Sequence, residues 1–513
     1  MLVSIISILV LVFTACNATG SDTLPDADDD VQGSTRYTTG LEFVLDAATD
    51  TYYVSDYSGN SYDIIIPSVY EGKPVTAIGD RAFSGCLNVD SILIPDSIVN
   101  IGNEAFQSCR RLRDVVIPDS VVSIGNGAFE GCGYITEIVI PNSVTSIGSG
   151  AFTYCTRLAK VVISENVTEI SSNMFRRCES LVDVSFSEGI VSIGDGAFSG
   201  CSSLENISIP DSITEIKNST FSGCSKLDNI TISDSVTAIG DYAFASCTAL
   251  HGIMIPGSVT TIGEKSFYGC KNLVNVVISK GVTSIGKGAF SDCDYLAGIS
   301  LPDSVMYLGD DAFSDCGVLY VVVLPNSITE IGNYTFAYCS SLASVVIPDS
   351  ITRIGEGAFL QCSSIERIDI PDSVVSIGDS AFEQCIKLGA IILPTGVAEI
   401  SKQMFWGCYN LDFIAFNGEI KSIGEEAFMY CEKLAEIRLP MSLTSIDDGA
   451  FQACRSLTNI VLPRKIVSIG NEVFFMCNNL ATIEYRGNED EWNAVEKGNG
   501  WLPQSSSCTI IFK

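Results

Sequence analysis

Hydrophobic positions recur along this chain with a period that neither a helix nor a strand produces. From Cys86 to Cys477 a Cys stands every 23 residues, eighteen in all, and each follows a Phe by three positions, from Phe83 to Phe474. Leu, Ile or Val lies three places after each Cys, from Val89 to Leu480. Within the repeat the apolar pattern changes character. Six and eight places after Cys come apolar pairs such as Ile92 and Ile94, or Ile207 and Ile209, and this period-two alternation predicts a short half-buried strand. The Pro that often follows ends the strand, because it has no amide to give a ladder, and Asp-Ser turns the chain. A second inward pair, such as Val144 and Ile147, comes next. Gly follows that Ile in fourteen of the eighteen units, which predicts a bend with positive φ. Ala-Phe-x-x-Cys predicts one short helical turn with Phe and Cys on the same side.

No unit of this size can bury its own apolar face, so neighbours must stack, with strands pairing in parallel at ~4.8 Å. The inward ladder then comprises Phe83 and Cys86, Phe106 and Cys109, Phe198 and Cys201, Phe290 and Cys293, Phe382 and Cys385, Phe474 and Cys477, and their equivalents between. Stacked Cys residues ~5 Å apart lie within Cα range of a disulfide, but in-register neighbours have parallel Cβ vectors, which a disulfide does not tolerate. The expectation is a buried reduced ladder with Cys acting as a small hydrophobe. A metal site is not expected, since the chain holds no CxxC pair and one His.

The repeated string Ile-Pro-Asp-Ser-Val-x-x-Ile-Gly-x-x-Ala-Phe-x-x-Cys-x-x-Leu resembles the leucine-rich repeats of the BspA-like surface proteins, also called the Treponema pallidum type. The resemblance covers roughly residues 37 to 513. It extends to an N-terminal cap, where Gly40-Leu41-Glu42-Phe43 and Tyr52-Tyr53-Val54 stand, and to a closing unit with Tyr485-Arg486-Gly487-Asn488 and Glu491-Trp492. It implies a leucine-rich repeat solenoid with short parallel strands, short helical turns or an irregular convex side, and a cap at each end. It also implies display on a cell surface and, as for some members, adhesion to host proteins. The expected organisation is a signal peptide over 1–15, a disordered acidic tether over 16–36, a cap over 37–65, the solenoid over 66–485 and a closing cap over 486–513. Leu2 to Phe13 is too short to span a membrane and fits the apolar part of a signal peptide. Phe13-Thr14-Ala15-Cys16 is similar to a bacterial lipoprotein signal, which makes Cys16 the lipidation candidate.

Charge and chemistry narrow the function. A net charge of −32 argues against nucleic acid and against docking on anionic headgroups, so membrane contact is expected only through the lipid anchor. His251 is the sole histidine and sits in an ordinary repeat, and the Gly-Asp-Gly at Gly194 lacks a dinucleotide fingerprint's third Gly. The chain is therefore read as a monomeric binding scaffold, not an enzyme, with no cofactor. Outward strand positions, five and seven after each Cys, vary where inward ones do not. Val116, Val139 and Val162 are followed by Val323 and Val346, then by Arg367 with Asp369, Phe413 with Ala415, and Glu436 with Arg438. An apolar stripe rimmed by charge suits partner contact, though β-branched residues also simply fit exposed strands. The expected partner is a host or neighbouring-cell protein or glycoconjugate; the alternative is a structural or antigenic coat without one ligand.

Overall fold

A computed structural model describes residues 37–186, 189–504 and 508–513; Cys16 and the expected signal and tether lie outside them. The chain winds as a stack of coils, and each coil offers three surfaces to its neighbours. One row holds the longer strands: Glu137–Val139 lies parallel to Lys160–Val162 with Ile138 opposite Val161, and Gly252–Ile255 lies parallel to Asn275–Ile278. A second row holds two-residue strands, such as Ser123–Ile124 beside Ser146–Ile147. Between these strands the register is one repeat, which places inward Ile or Val on its counterpart.

The third surface carries Phe-x-x-Cys, and here the structure corrects the sequence expectation of a helical turn. Gln107 and Cys109 amides close tight turns on Glu104 and Phe106 at 3.0 and 3.1 Å, while the amides of Glu104, Phe106 and Ser108 reach forward to carbonyls of Asn126, Ala128 and Glu130 at 2.6–2.7 Å. Left-handed backbone at Glu104 (φ 52°) and Ser108 (φ 61°) aims alternate amides along the stack. Past its first turn a helix spends its amides on its own carbonyls, whereas here alternate amides go to the next coil. The same pair of positions is left-handed in the next coils, at Gly127 and Gly131, then Gly150 and Tyr154. The one helix among the described residues, Glu489–Asn493, lies in the closing unit and is capped by Asn488.

The Gly after the inward Ile also has a different reason from the one expected. Gly102, Gly125 and Gly148 do not adopt positive φ. A Cβ there would stand 2.6, 2.5 and 2.3 Å from the backbone nitrogens of Asp80, Asn103 and Asn126 in the preceding coil. The residue is Gly because two backbones touch, and the contact lets Gly125 and Gly148 donate to Ile101 and Ile124 at 2.8 Å. Four coils carry Ser171, Lys217, Ser401 or Asp447 instead. Ahead of the first three the short-strand row breaks, between 146–147 and 169–170, 192–193 and 215–216, and 376–377 and 399–400; it also breaks ahead of Gly332, between 307–308 and 330–331. Ser401 repairs its break in part, its hydroxyl donating to Ile377 O at 2.5 Å. Asp447 keeps the amide bond, to Ile423 O at 2.8 Å. One place further on, Asp or Asn side chains bridge coils. Asn103 Oδ1 accepts from Asn126 N at 2.9 Å, Asn126 Oδ1 from Ser149 N at 2.8 Å and Asp310 Oδ1 from Asn333 N at 2.7 Å. Part of the acidic charge is thus built into the stack.

Inside, the Phe rings form one continuous column from Phe83 to Phe474, with neighbouring centroids 5.1–5.8 Å apart and planes within 20°. Tyr57 closes the column at one end (5.6 Å) and Trp501 at the other (6.5 Å). Beside it run the thiols. Each Cys from Cys109 to Cys477 is buried and donates through Sγ to the carbonyl of the Phe one coil back, at 3.0–3.3 Å. Cys is therefore more than a small hydrophobe here: it fills the space and gives a second donor to a carbonyl that already closes the Phe-x-x-Cys turn. No disulfide joins the described cysteines. Desolvation pushes the buried thiols up, to about 12 at Cys109, Cys155, Cys224 and Cys270.

Both ends continue the rows. Strand Asp63–Ile65 pairs with Ser91–Leu93, Ile64 opposite Ile92, so the long-strand row reaches into the segment expected as a cap. The hairpin of Leu41–Asp46 and Thr51–Tyr57 covers the first edge by parallel pairing with Lys73–Ile78. At the far end Glu496–Lys497 and Thr509–Phe512 pair with Ser468–Ile469 and Thr482–Tyr485, which makes 486–513 one further coil. Its helix and Trp501 seal an apolar end that would otherwise face water.

Candidate partner-binding face

The long strands point one side chain in and the next out. Outward positions seven after Cys carry exposed Leu93, Val116, Val139 and Val162, then Met254 and Val277, Val323 and Val346, and Ile392, with exposed Ser208, Thr231 and Ser300 between the blocks. The short-strand row offers a comparison. Its outward residues are mostly Ser, Thr and Glu, including Thr237, Thr260 and Thr283, whose hydroxyls donate to the Thr or its counterpart one coil back at 3.0–3.2 Å. Val99, Val122, Val191, Met306, Tyr307, Val375 and Val467 interrupt it. Strand preference alone would act on both rows, so the apolar enrichment of the long-strand row needs a second cause.

Pairing along the long-strand row breaks after 114–115, 229–231, 344–346 and 413–416, and among the described residues the coil of Cys362, at the third of these breaks, is the one that forms no long strand. The strand Ser344–Val346 ends one block of the row, and Arg367 makes only an isolated bridge to Ala390 before Ala390–Leu393 and Phe413–Phe416 resume pairing. Val345, Ile347 and Ile370 are half-buried there, although their counterparts elsewhere are mostly buried. The loosened strand forms one wall of a recess of about 380 Å³ lined by Arg367, Asp369, Ile370, Ala390, Ile392 and Phe413, with Ile368 and Ile391 as its floor. Arg367 Nε donates to Asp369 Oδ1 at 3.0 Å, a pair that stands exposed at the rim. Phe413 and Ile392 present roughly half of their surfaces to solvent (52 and 46%).

Arg367, Asp369 and Phe413 thus meet in one place. Glu436 and Arg438 lie on the same face, exposed and without an ion pair among the described residues, but outside the recess. Sequence reasoning missed Ile392 and Ile370. The run Ala390-Ile391-Ile392-Leu393 is apolar at every position, so its alternation is invisible, and the loosening at Ile370 is a property of coil stacking. His251, at a strand entrance, is exposed with Nδ1 2.8 Å from Asp228 Oδ1. Among the described residues no group of His, Cys, Asp and Glu could hold a metal ion, and no helix is long and apolar enough to cross a membrane.

Parallel strand rows, a 23-residue coil and an aromatic spine define a leucine-rich repeat solenoid with almost no helix. The chain belongs to the BspA-type leucine-rich repeat family, whose sequence profile matches residues 76–205, 191–320, 260–388, 319–433 and 398–493. Among solved structures it is similar to a leucine-rich repeat protein from Bacteroides ovatus, with 26% identity over 92% of this chain and 98% of that one and a TM-score of 0.51. Similarity extends to the Treponema pallidum leucine-rich repeat protein, 26% identical over 41% of this chain and 88% of that one, TM-score 0.32. A leucine-rich cell surface protein from Faecalibacterium prausnitzii is 24% identical over 92% and 99%, TM-score 0.33. No curated protein matches the chain.

Proposed function

We propose that this chain is a cell-surface scaffold that binds a macromolecular partner, a protein or glycoconjugate of a host or neighbouring cell, through the outward face of its long strands. The recess between Arg367, Asp369, Ile392 and Phe413 carries the reading: it combines exposed apolar surface with a charged rim at a point where the strand row loosens. Such a combination of apolar anchors and a polar rim is what partner contacts use. Catalysis has no place in this reading. The role is presentation of a surface, and Cys16, as a lipidation site, with residues 16–36 as spacer, would hold that surface away from the membrane.

The test is a pull-down from mucosal and extracellular-matrix extracts with the full chain and a variant carrying Arg367→Ala, Phe413→Ala and Arg438→Ala. The reading expects a saturable partner recovered by the first and lost by the second, with the two indistinguishable in circular dichroism. Equal recovery by both removes the assigned face, and no recovery by either favours a coat protein. Mass spectrometry of the mature N-terminus checks the anchor: a diacylated Cys16 supports it, and an unmodified residue there excludes it.

A further inference from the structure

A second recess lies on the turn side, away from the strand face, and its chemistry is different. It measures about 490 Å³ and spans the coils of Cys109, Cys132 and Cys155. Its floor exists because the middle coil carries Gly131 and Gly133 on either side of Cys132. The fold requires neither. Gly131 has φ +73°, but the equivalent positions hold Ser108 and Tyr154 at φ 61° and 60°. A Cβ on Gly133 would touch only Thr156 Oγ1, at an ordinary 3.4 Å. Two side chains are missing from the row where side chains would fit, and the gap is flanked by Arg110 on one coil and Tyr154 on the next.

Charge singles this place out in a chain of net charge −32. Six of its fourteen arginines, Arg110, Arg111, Arg113, Arg157, Arg176 and Arg177, fall between residues 110 and 177. Arg111 is bound to Asp90 at 2.8 Å, and Arg113 lies 3.9 Å from the same carboxylate. Arg110 and Arg157, the two that line the recess, have no ion pair among the described residues. Arg157 sits over the Tyr134 ring, its guanidinium carbon 3.8 Å from the centroid. A cation–π contact of this kind restrains the guanidinium and still leaves N–H donors for a carboxylate.

The remaining wall selects among anions. Ser108 and Thr156 offer hydroxyls, and Tyr154 an exposed ring. Glu130, which accepts from Gln107 Nε2 at 2.9 Å, adds a carboxylate that hydroxyl groups can donate to. A carboxylate there disfavours phosphate dianions and densely sulfated chains. We infer that the notch over Gly131 and Gly133 binds a singly charged, hydroxyl-rich ligand, an acidic sugar residue of the sialic or uronic type. Arg110 and Arg157 clamp its carboxylate, the Tyr154 ring meets its C–H face, and Glu130, Ser108 and Thr156 meet its hydroxyls. A recess of this volume suits one or two sugar rings. The inference is independent of the strand face and stands or falls without it.

Saturation-transfer NMR on the full chain tests it with sialyllactose, methyl glucuronoside and, as the neutral match, lactose. Transfer to at least one acidic probe and none to lactose is expected. Arg157→Ala should raise Kd about tenfold or more, as loss of one charge-assisted donor does. Gly133→Gln, which fills the notch at a position with room for a side chain, should abolish transfer. Gly317→Gln, at the equivalent position of a distant coil with nothing nearer than Ser340 Oγ at 4.0 Å, should leave it intact. Transfer to lactose equal to that of the acidic probes, binding unchanged in Gly133→Gln, transfer to neither acidic probe, or a preference for a phosphotyrosine peptide would each overturn the proposal.

Discussion

Replacing Gly148 by Ala adds one methyl group at a surface turn, yet it should open the stack. The new Cβ would lie 2.3 Å from Asn126 N and 2.7 Å from Asn126 Cα, against the ~3.4 Å that non-bonded carbon normally keeps. Neither contact is a flexible side chain, so the coil must move away by roughly 1 Å. At that displacement two coil-to-coil bonds pass beyond bonding distance: Gly148 N to Ile124 O, now 2.8 Å, and Ser149 N to Asn126 Oδ1, also 2.8 Å. Each contributes about 1 kcal/mol net. Ala for Gly restores about 0.4–1 kcal/mol by restricting the unfolded chain. Lost contact around Ile147 adds to the cost, so the change should be about 2 kcal/mol. Long repeat arrays need not unfold in one step, so a local readout is better than a melting curve. Hydrogen exchange followed by mass spectrometry should show peptides containing residues 148 and 149 exchanging ~30-fold faster, with distant coils unchanged. The converse change, Lys217→Gly, should slow exchange at residue 217 by letting its amide reach Ile193. If Gly148→Ala left exchange unaltered, close backbone approach would not be the reason for Gly in this row.

Further consequences follow from the core and its ends. Phe290→Ala should cost about 3–5 kcal/mol, read as a lower urea midpoint, because it removes a ring held between Phe267 and Phe313. Trp501→Ala should instead fray only the last coil, seen as faster exchange in 496–512, since that ring closes the column. Thiol burial predicts a specific response to alkali. Cys109 through Cys454, sixteen thiols at one-repeat spacing, are all raised above their ordinary 9.0 by desolvation. A raised folded value means that their contribution is complete below about pH 9 and is lost as pH climbs toward 12. Each then favours unfolding by about 1.4 kcal/mol per unit, so coils should begin to open within roughly one unit above pH 9, whereas a variant with half of these cysteines replaced by Val should hold to higher pH. At pH 8 iodoacetamide should label Cys86 and Cys508, which are half-buried, and spare the seventeen buried thiols from Cys109 to Cys477.

The columns were legible because they are strictly periodic: Phe and Cys at a fixed offset can only stack. The turn between them was misread because i, i+3 spacing puts Phe and Cys on one side both in a helical turn and in the turn found here. The difference lies in where the amides of residues such as Glu104 and Ser108 point, and they point at another coil. The Gly after Ile was assigned to backbone conformation when its cause is a neighbour's backbone 23 residues away, a contact with no local signature. Of the candidate face, Arg367, Asp369 and Phe413 were reachable from alternation alone. The recess that joins them to Ile392 depends on a break in strand pairing at one coil, and the notch over Gly131 and Gly133 is visible only once Arg157 is seen lying on Tyr134.

Whether the outward face of the long strands is the one that meets a partner can be read from a hydrogen-exchange footprint. The full chain, captured on a mucosal or matrix extract that retains it, is compared with free chain. Protection concentrated in 367–370, 390–393 and 413–416 is the predicted result. Protection confined to the short-strand row or spread evenly over every coil would contradict it.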